Sequence, residues 1–356
     1  MTVFLTPPSP SDTRSSIADW MELRALGSSR GRATQATIRG VLDIAEDEAA
    51  EQPLVDEESG EPLDEAILED ARTQIVSAAF EELEYRQRVL GPAYPFTVNL
   101  AQLTIDRRPE NPITHPGRVV YLFCVLASAI RERKLQPVAR MSDAEKEIAD
   151  VFQICACLAA GGYVSGEVTS FGFPRATGTG FLPALRDAFA RFGVGQVRTE
   201  IPDGLPDSLK DGGIDVIAWR DHPDGMPGKI YLLGQCASGQ NWQSKSIVEY
   251  IDQLHGSWFT ESPANFSLPA MFIPFTFHRD MSEARSGPFL DAVKHSYWHQ
   301  EKRFGIIFDR LRIAHFAQSC MEGARAVRVD GADQFEAIRT WVQATLKVAG
   351  LETPVV

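Results

Sequence analysis

The sequence lacks a paired cysteine framework. Its five cysteines, Cys124, Cys155, Cys157, Cys236 and Cys320, are odd in number for a chain of 356 residues, and each lies in or beside an apolar stretch. A disulfide-stapled fold is thereby excluded, and the thiols read as reduced groups of a cytoplasmic protein. Cys155 and Cys157 have no second Cys or His pair at zinc-finger spacing, which argues against structural zinc. The first residues carry no basic n-region and no adequate apolar run, so no signal peptide is expected. The longest apolar run, residues 119–130, is flanked by Arg118 and Arg131. It is too short to span a bilayer and is expected as a buried helix, with no membrane partner. Internal repeats are lacking as well.

An excess of positive charge is also missing. The net charge of −13 argues at first against a nucleic-acid partner. The deficit, however, is local. Residues 43–70 hold thirteen Asp and Glu and no Lys or Arg, and the 35 acids elsewhere equal the 35 basic residues of the whole chain. The remainder can therefore present a basic groove. The stretch from Glu46 to Glu61, with Pro53 and Gly60, reads as a solvated linker, and a mask over a basic surface is its alternative role.

Residues 1–16, rich in Pro, Ser and Thr, are expected to be disordered or loosely attached. Residues 17–135 read as one mostly helical domain. Its helices cover 17–45, broken near Ser28–Arg32, then 63–90 and 119–131, with a strand or hairpin over 94–105. A second domain, 141–356, opens with a helix N-capped by Ser142 or Asp143 and closed by Gly161-Gly162. A loop over 170–180, a helix 181–192 and a strand 196–201 follow. Strands then fall at 212–219 and 229–237, a helix at 243–258, strands at 270–277 and 305–308, and a helix at 332–349. This order predicts an α/β (α+β) chain whose second domain is a mixed sheet covered by helices.

The chemistry concentrates between Asp211 and Lys245. Strand alternation places Asp215, Ile217 and Trp219 on one face, and Tyr231, Leu233, Gln235 and Ala237 on one face of the next strand. A reversal over 220–229 makes those strands neighbours. A carboxylate and an amide oxygen then converge at one end of a sheet if their faces agree, and such oxygens suit a hard cation like Mg²⁺.

The run Lys210-Asp211-Gly212-Gly213-Ile214-Asp215-Val216-Ile217-Ala218, followed by Leu233-Gly234-Gln235-Cys236, resembles the Mrr-like branch of the PD-(D/E)xK, restriction-endonuclease-like nucleases. In that branch Gln commonly takes the second metal-ligand position. The resemblance covers about 35 residues. It implies a Mg²⁺-dependent endonuclease, with Mn²⁺ able to substitute, in which Asp215 and Gln235 hold the metal. It further implies a prokaryotic restriction or anti-phage role on nucleic acid, DNA before RNA. The helical N-terminal domain would then sense, regulate or bind a partner protein.

One departure from the pattern is plain: Ala237 stands where the superfamily lysine belongs. Lys245, at the start of the next helix, is the candidate migrant, although a helical wheel sets it away from the apolar stripe. Glu147 is the candidate further carboxylate from the preceding helix, with Glu145, Asp150 and Asp187 as competitors. Arg175, Arg186, Arg191, Arg198, Lys294, Lys302, Arg303, Arg310 and Arg312 are candidates to track phosphates. Two rivals stay open. One is Cys236 as a thiol nucleophile with His255 as base. The other is a catalytically inactive nuclease-like module that binds nucleic acid or a partner protein.

Overall fold

The computed structural model describes all residues except 1–4, 50–64, 136–140, 173–174, 176–177, 206–209, 211, 240, 264–265, 284–286, 324–327 and 352–356. Most of the acidic linker and Asp211 therefore lie outside the described residues.

The helical first third consists of α1 (Arg14–Gly27), β1 (Arg32–Thr34), α2 (Gln35–Ala49), α3 (Glu65–Leu90), β2 (Phe96–Asn99), β3 (Thr104–Arg107) and α4 (Pro116–Arg131). Helix α2 continues through the first acids of the expected linker. The three short strands form one antiparallel sheet in the order β1-β3-β2. Residues 5–16 are not loose. Leu5 bridges Leu135, Thr6 N–H donates to Lys134 O (2.8 Å), and Thr13 caps α1.

Then come α5 (Met141–Val164), β4 (Glu167–Ser170), α6 (Phe181–Phe192), β5 (Gln196–Val197), β6 (Val216–Arg220) and β7 (Ile230–Cys236). The chain closes with α7 (Ile247–Trp258), β8 (Phe259–Glu261), β9 (Ser267–Phe272), α8 (Phe289–Phe304), β10 (Ile306–Phe308), α9 (Arg310–Glu322) and α10 (Phe335–Val348). The main sheet has the order β10-β9-β7-β6-β4. Strand β6 runs antiparallel to both β4 and β7, while β7, β9 and β10 are parallel and are joined through α7 and α8. The sheet is thus mixed and helix-covered, as expected. The expected strand 196–201 shrinks to a two-residue pairing with β8. The apolar run 270–277 leaves the sheet after Phe272 and continues as buried loop.

Side-chain alternation sorts the two faces. Val216, Ala218, Leu232, Ala270 and Phe272 pack with α5 and α9, whereas Ile217, Trp219, Tyr231 and Leu233 pack with α6 and α7. The first of these clusters also takes in Ile17, Phe80 and Phe123, so α1, α3 and α4 share one core with the sheet.

Helix α5 is long and apolar enough, by composition, to cross a membrane, yet 61% of that window is buried inside the protein. Gly161 and Gly162 do not end it. A Cβ on Gly162 would stand 1.9 Å from the carbonyl oxygen of Phe316, so the glycine lets α9 cross at backbone contact.

Candidate functional site

The site is built where β6 begins and β7 ends. Gly212 and Gly213 both have positive φ (62° and 79°), and a Cβ on Gly213 would sit 2.4 Å from the Tyr250 ring of α7. Only glycine makes this turn at that approach. The turn sends Ile214 into the cluster with Ile217 and Trp219. Alternation therefore breaks at Asp215, which does not share the face of Ile217 as the sequence reading expects.

Asp215 extends the ladder with its side chain instead. Its N–H donates to Gly234 O (2.8 Å), and its Oδ2 accepts from Cys236 N–H (2.7 Å). Asp215 thus holds both chain neighbours of Gln235, Gly234 by its backbone N–H and Cys236 by its carboxylate. Its Oδ1 turns to the α5 side, where a Cβ on Gly172 would stand 2.7 Å from it and 2.3 Å from Gln153 Oε1. Gly172 is the residue that leaves room for both groups.

Gln235 leaves β7 on the opposite, α7-facing side by strict alternation. It is 5% exposed, and its Oε1 is buried without a hydrogen-bond partner among the described residues. A buried acceptor left unmade costs about 1–3 kcal/mol, so such an atom calls for an explanation.

Lys245 is not in a helix. It follows the 3-10 turn Trp242–Ser244 with extended backbone (φ −99°, ψ 138°), just ahead of α7, and is half-buried. Burial pushes the Cys236 thiol well up, Asp215 pushes it further, and the Lys245 ammonium opposes both. Asp215, Cys236 and Lys245 therefore share one electrostatic neighbourhood. The same shift disfavours a Cys236 thiolate. His255, the proposed base for that rival, points instead to Tyr231 OH (3.4 Å) in the cluster with α6 and α7.

Glu147 is exposed on α5, six residues before Gln153, about 9 Å along the helix axis. It lines a cavity of about 1420 Å³ between α5, α6, β4 and α10, together with Asp150, Asp187 and Gln153. Gln153 of α5 instead reaches Gly172 beside Asp215, and its Nε2 donates to Ser170 Oγ (2.7 Å). Sequence reading missed it because an amide was not sought in a carboxylate's place. Glu145 faces Arg131 and Arg133 instead. Among the described residues, no group of three or more His, Cys, Asp or Glu side chains is placed to hold a metal ion.

The candidate phosphate-tracking cations divide. Arg310 is fully buried and bidentate on Asp19 (2.7 and 2.9 Å), so it is removed from that role. Arg191 is tied to Glu167 and Asp330, Lys294 to Asp291, and Arg198 to the Ser257 carbonyl. Lys302 and Arg303 are exposed on α8.

No family model matches this chain, and neither a curated protein nor a solved structure matches it.

Proposed function

We propose that this chain is a metal-dependent nuclease that hydrolyses phosphodiester bonds, with DNA the favoured substrate, at a site formed by Asp215, Gln235 and Lys245. The observation that carries the reading is the Oε1 of Gln235, buried without a hydrogen-bond partner among the described residues, on a strand end that Asp215 holds by its backbone N–H to Gly234 O and its carboxylate to Cys236 N–H. Both groups offer hard oxygen donors. Mg²⁺ commonly takes one or two protein oxygens and keeps several waters, so this donor set fits Mg²⁺, with Mn²⁺ as a substitute. Asp215 would hold the ion, and Gln235, whose side chain leaves β7 on the other face, would have to turn about the strand end to join it; the ion when bound polarises a phosphoryl oxygen and lowers the pKa of an attacking water. Asp215 also fixes the end of β7 through Cys236 N–H, which keeps Gln235 in place. Lys245 supplies positive charge at the same strand end, where negative charge develops on a phosphate.

A second reading has its own support. Asp215 spends one oxygen on a backbone N–H, Gln235 leaves the sheet from the other face, and no third carboxylate joins them among the described residues. Those features favour a nuclease-like module that binds nucleic acid or a partner protein without cutting.

The experiment that separates the two is cleavage of plasmid DNA and of RNA with Mg²⁺ or Mn²⁺ by wild type and Asp215→Asn. Asparagine can still accept from Cys236 N–H but loses the charge. Metal-dependent cleavage by wild type alone supports the nuclease. Equal rates in both proteins overturn the site, and no cleavage by wild type moves the assignment to the binding module.

A further inference from the structure

The cavity beside β4 has a chemistry that a nuclease site does not use. Helix α5 contributes Glu147 and Asp150 over an apolar floor of Val151 and Ile154. Across the gap, α10 presents Ala337, Thr340, Ala344 and Val348, spaced so that they form one face of small side chains. Asp187 of α6 and Asp333, just ahead of α10, complete the rim.

The charge of this rim is not cancelled. Glu147, Asp150, Asp187 and Asp333 are exposed and make no ion pair with any described residue. The lining cations are already engaged: Arg191 and Arg328 on Asp330, and Arg175 on the Thr179 carbonyl. The groove thus repels phosphates and attracts cations. Thr345 also lines it, 2% exposed, with an Oγ1 that has no hydrogen-bond partner among the described residues.

Size narrows the ligand. An α-helix about 10 Å across rises about 1.5 Å per residue, so roughly twelve residues of helix fill a volume of this order. A helix laid in a groove is a recurrent recognition mode, with apolar anchors on the floor and charges at the edges.

We propose that this groove receives a basic amphipathic helix of a partner protein, with Lys or Arg along its edges facing Glu147, Asp150, Asp187 and Asp333, and small apolar residues against Ala337 and Ala344. Gln153 lines the same cavity and reaches Gly172, which Asp215 also approaches, so an occupant comes near the candidate site. The docking itself stands independently of any cleavage there.

The test titrates the full chain with a synthetic amphipathic helix of Leu, Ala and Lys and follows binding by calorimetry. Saturable one-to-one binding is expected, weaker by at least about tenfold in the Glu147→Gln/Asp150→Asn/Asp187→Asn variant, as loss of several attractive charges requires. Ala344→Trp, which fills the groove from an exposed position, should abolish it. Both variants alter exposed side chains, and unchanged circular dichroism checks that they fold. Equal affinity in wild type and both variants overturns the proposal. Spermine or single-stranded oligonucleotide that binds with this variant dependence while the helix does not also overturns it. Self-association of the free chain that is lost in Ala344→Trp would assign the groove to a second copy and overturn the partner assignment.

Discussion

Two buried polar constellations in this molecule are built on opposite plans. In the first, Arg86 is fully buried and donates to Glu82 (2.8 Å), Asp19 (2.6 Å), Glu22 (3.0 Å) and Ser15 Oγ (2.9 Å). Tyr94 and Tyr121 each donate to Glu22 Oε1 at 2.7 Å, Arg310 clamps Asp19, and His278 meets Glu82 at 2.8 Å. This network ties α1, α3, α4 and α9 together. In the second, Asp215 and Gln235 sit at a strand end, and the Gln235 Oε1 has no hydrogen-bond partner among the described residues. A network that pairs nearly every charge, with Glu22 Oε2 lacking a partner among the described residues, serves the fold. A buried acceptor without a partner that stands outside such a network, at a strand end, is a candidate place for a ligand.

The comparison breaks first, and most heavily, at Arg86. Arg86→Met leaves Glu82, Glu22 and Asp19 without their shared cation, and removing one partner of a buried ionic group costs about 3–5 kcal/mol. Urea denaturation should show that loss, and a drop under about 1 kcal/mol would mean the network is not structural.

Acid should act on the same region. Burial pushes the Glu82 carboxyl up, but the adjacent His278 and Arg86 charges bring it down from 4.5 to about 2. A depressed carboxyl stabilises the fold above 4.5, and that contribution fades as the pH falls towards 2. Burial raises the Glu22 carboxyl, so Glu22 works in the opposite sense and blunts the effect. Melting curves between neutral pH and pH about 3 should show a falling midpoint, with a loss of up to about 3 kcal/mol. Glu82→Gln should flatten the slope, and an unchanged slope would remove Glu82 from the account.

Asp215→Ala should cost less. It strips the acceptor from Cys236 N–H, a loss of about 1–3 kcal/mol by thermal or chemical denaturation. Its larger consequence is the loss of any metal-dependent cleavage. Gln235→Leu should change stability least, by within about 1 kcal/mol and in the stabilising direction, since it removes a buried acceptor that has no partner. A clear destabilisation would show that the amide is held by the protein after all.

The comparison also explains what was legible in the sequence. Helix α6 was readable over its full length from the spacing of Leu182, Leu185, Phe189 and Phe192, and it ends at Gly193 with φ 74°. The mixed, helix-covered sheet followed from the order of apolar runs. Helices α8 and α9 were not read. Helix α8 buries only Phe289, Val293 and Phe304 along 16 residues, and α9 carries Arg310 on its buried side. A weak or charged inner face conceals the period that marks a helix.

At the site, the pairing of β6 with β7 was legible from two apolar runs and a polar turn. The face of Asp215 was not, because two consecutive glycines reset the alternation just before it. The shared core of the helical first third and the sheet was hidden as well. It depends on contacts such as Arg310 with Asp19, 291 positions apart in sequence, and no local pattern announces them.

The proposal that most needs a test is that Asp215 and Gln235 help to hold a divalent cation at the end of β7. Titrating Mn²⁺ into wild type, Asp215→Asn and Gln235→Leu, with free Mn²⁺ followed by electron paramagnetic resonance, tests this without requiring the substrate. One bound Mn²⁺ in wild type that is lost or strongly weakened in both variants is the result predicted. Mn²⁺ binding that is absent in wild type, or unaltered by either substitution, would contradict it.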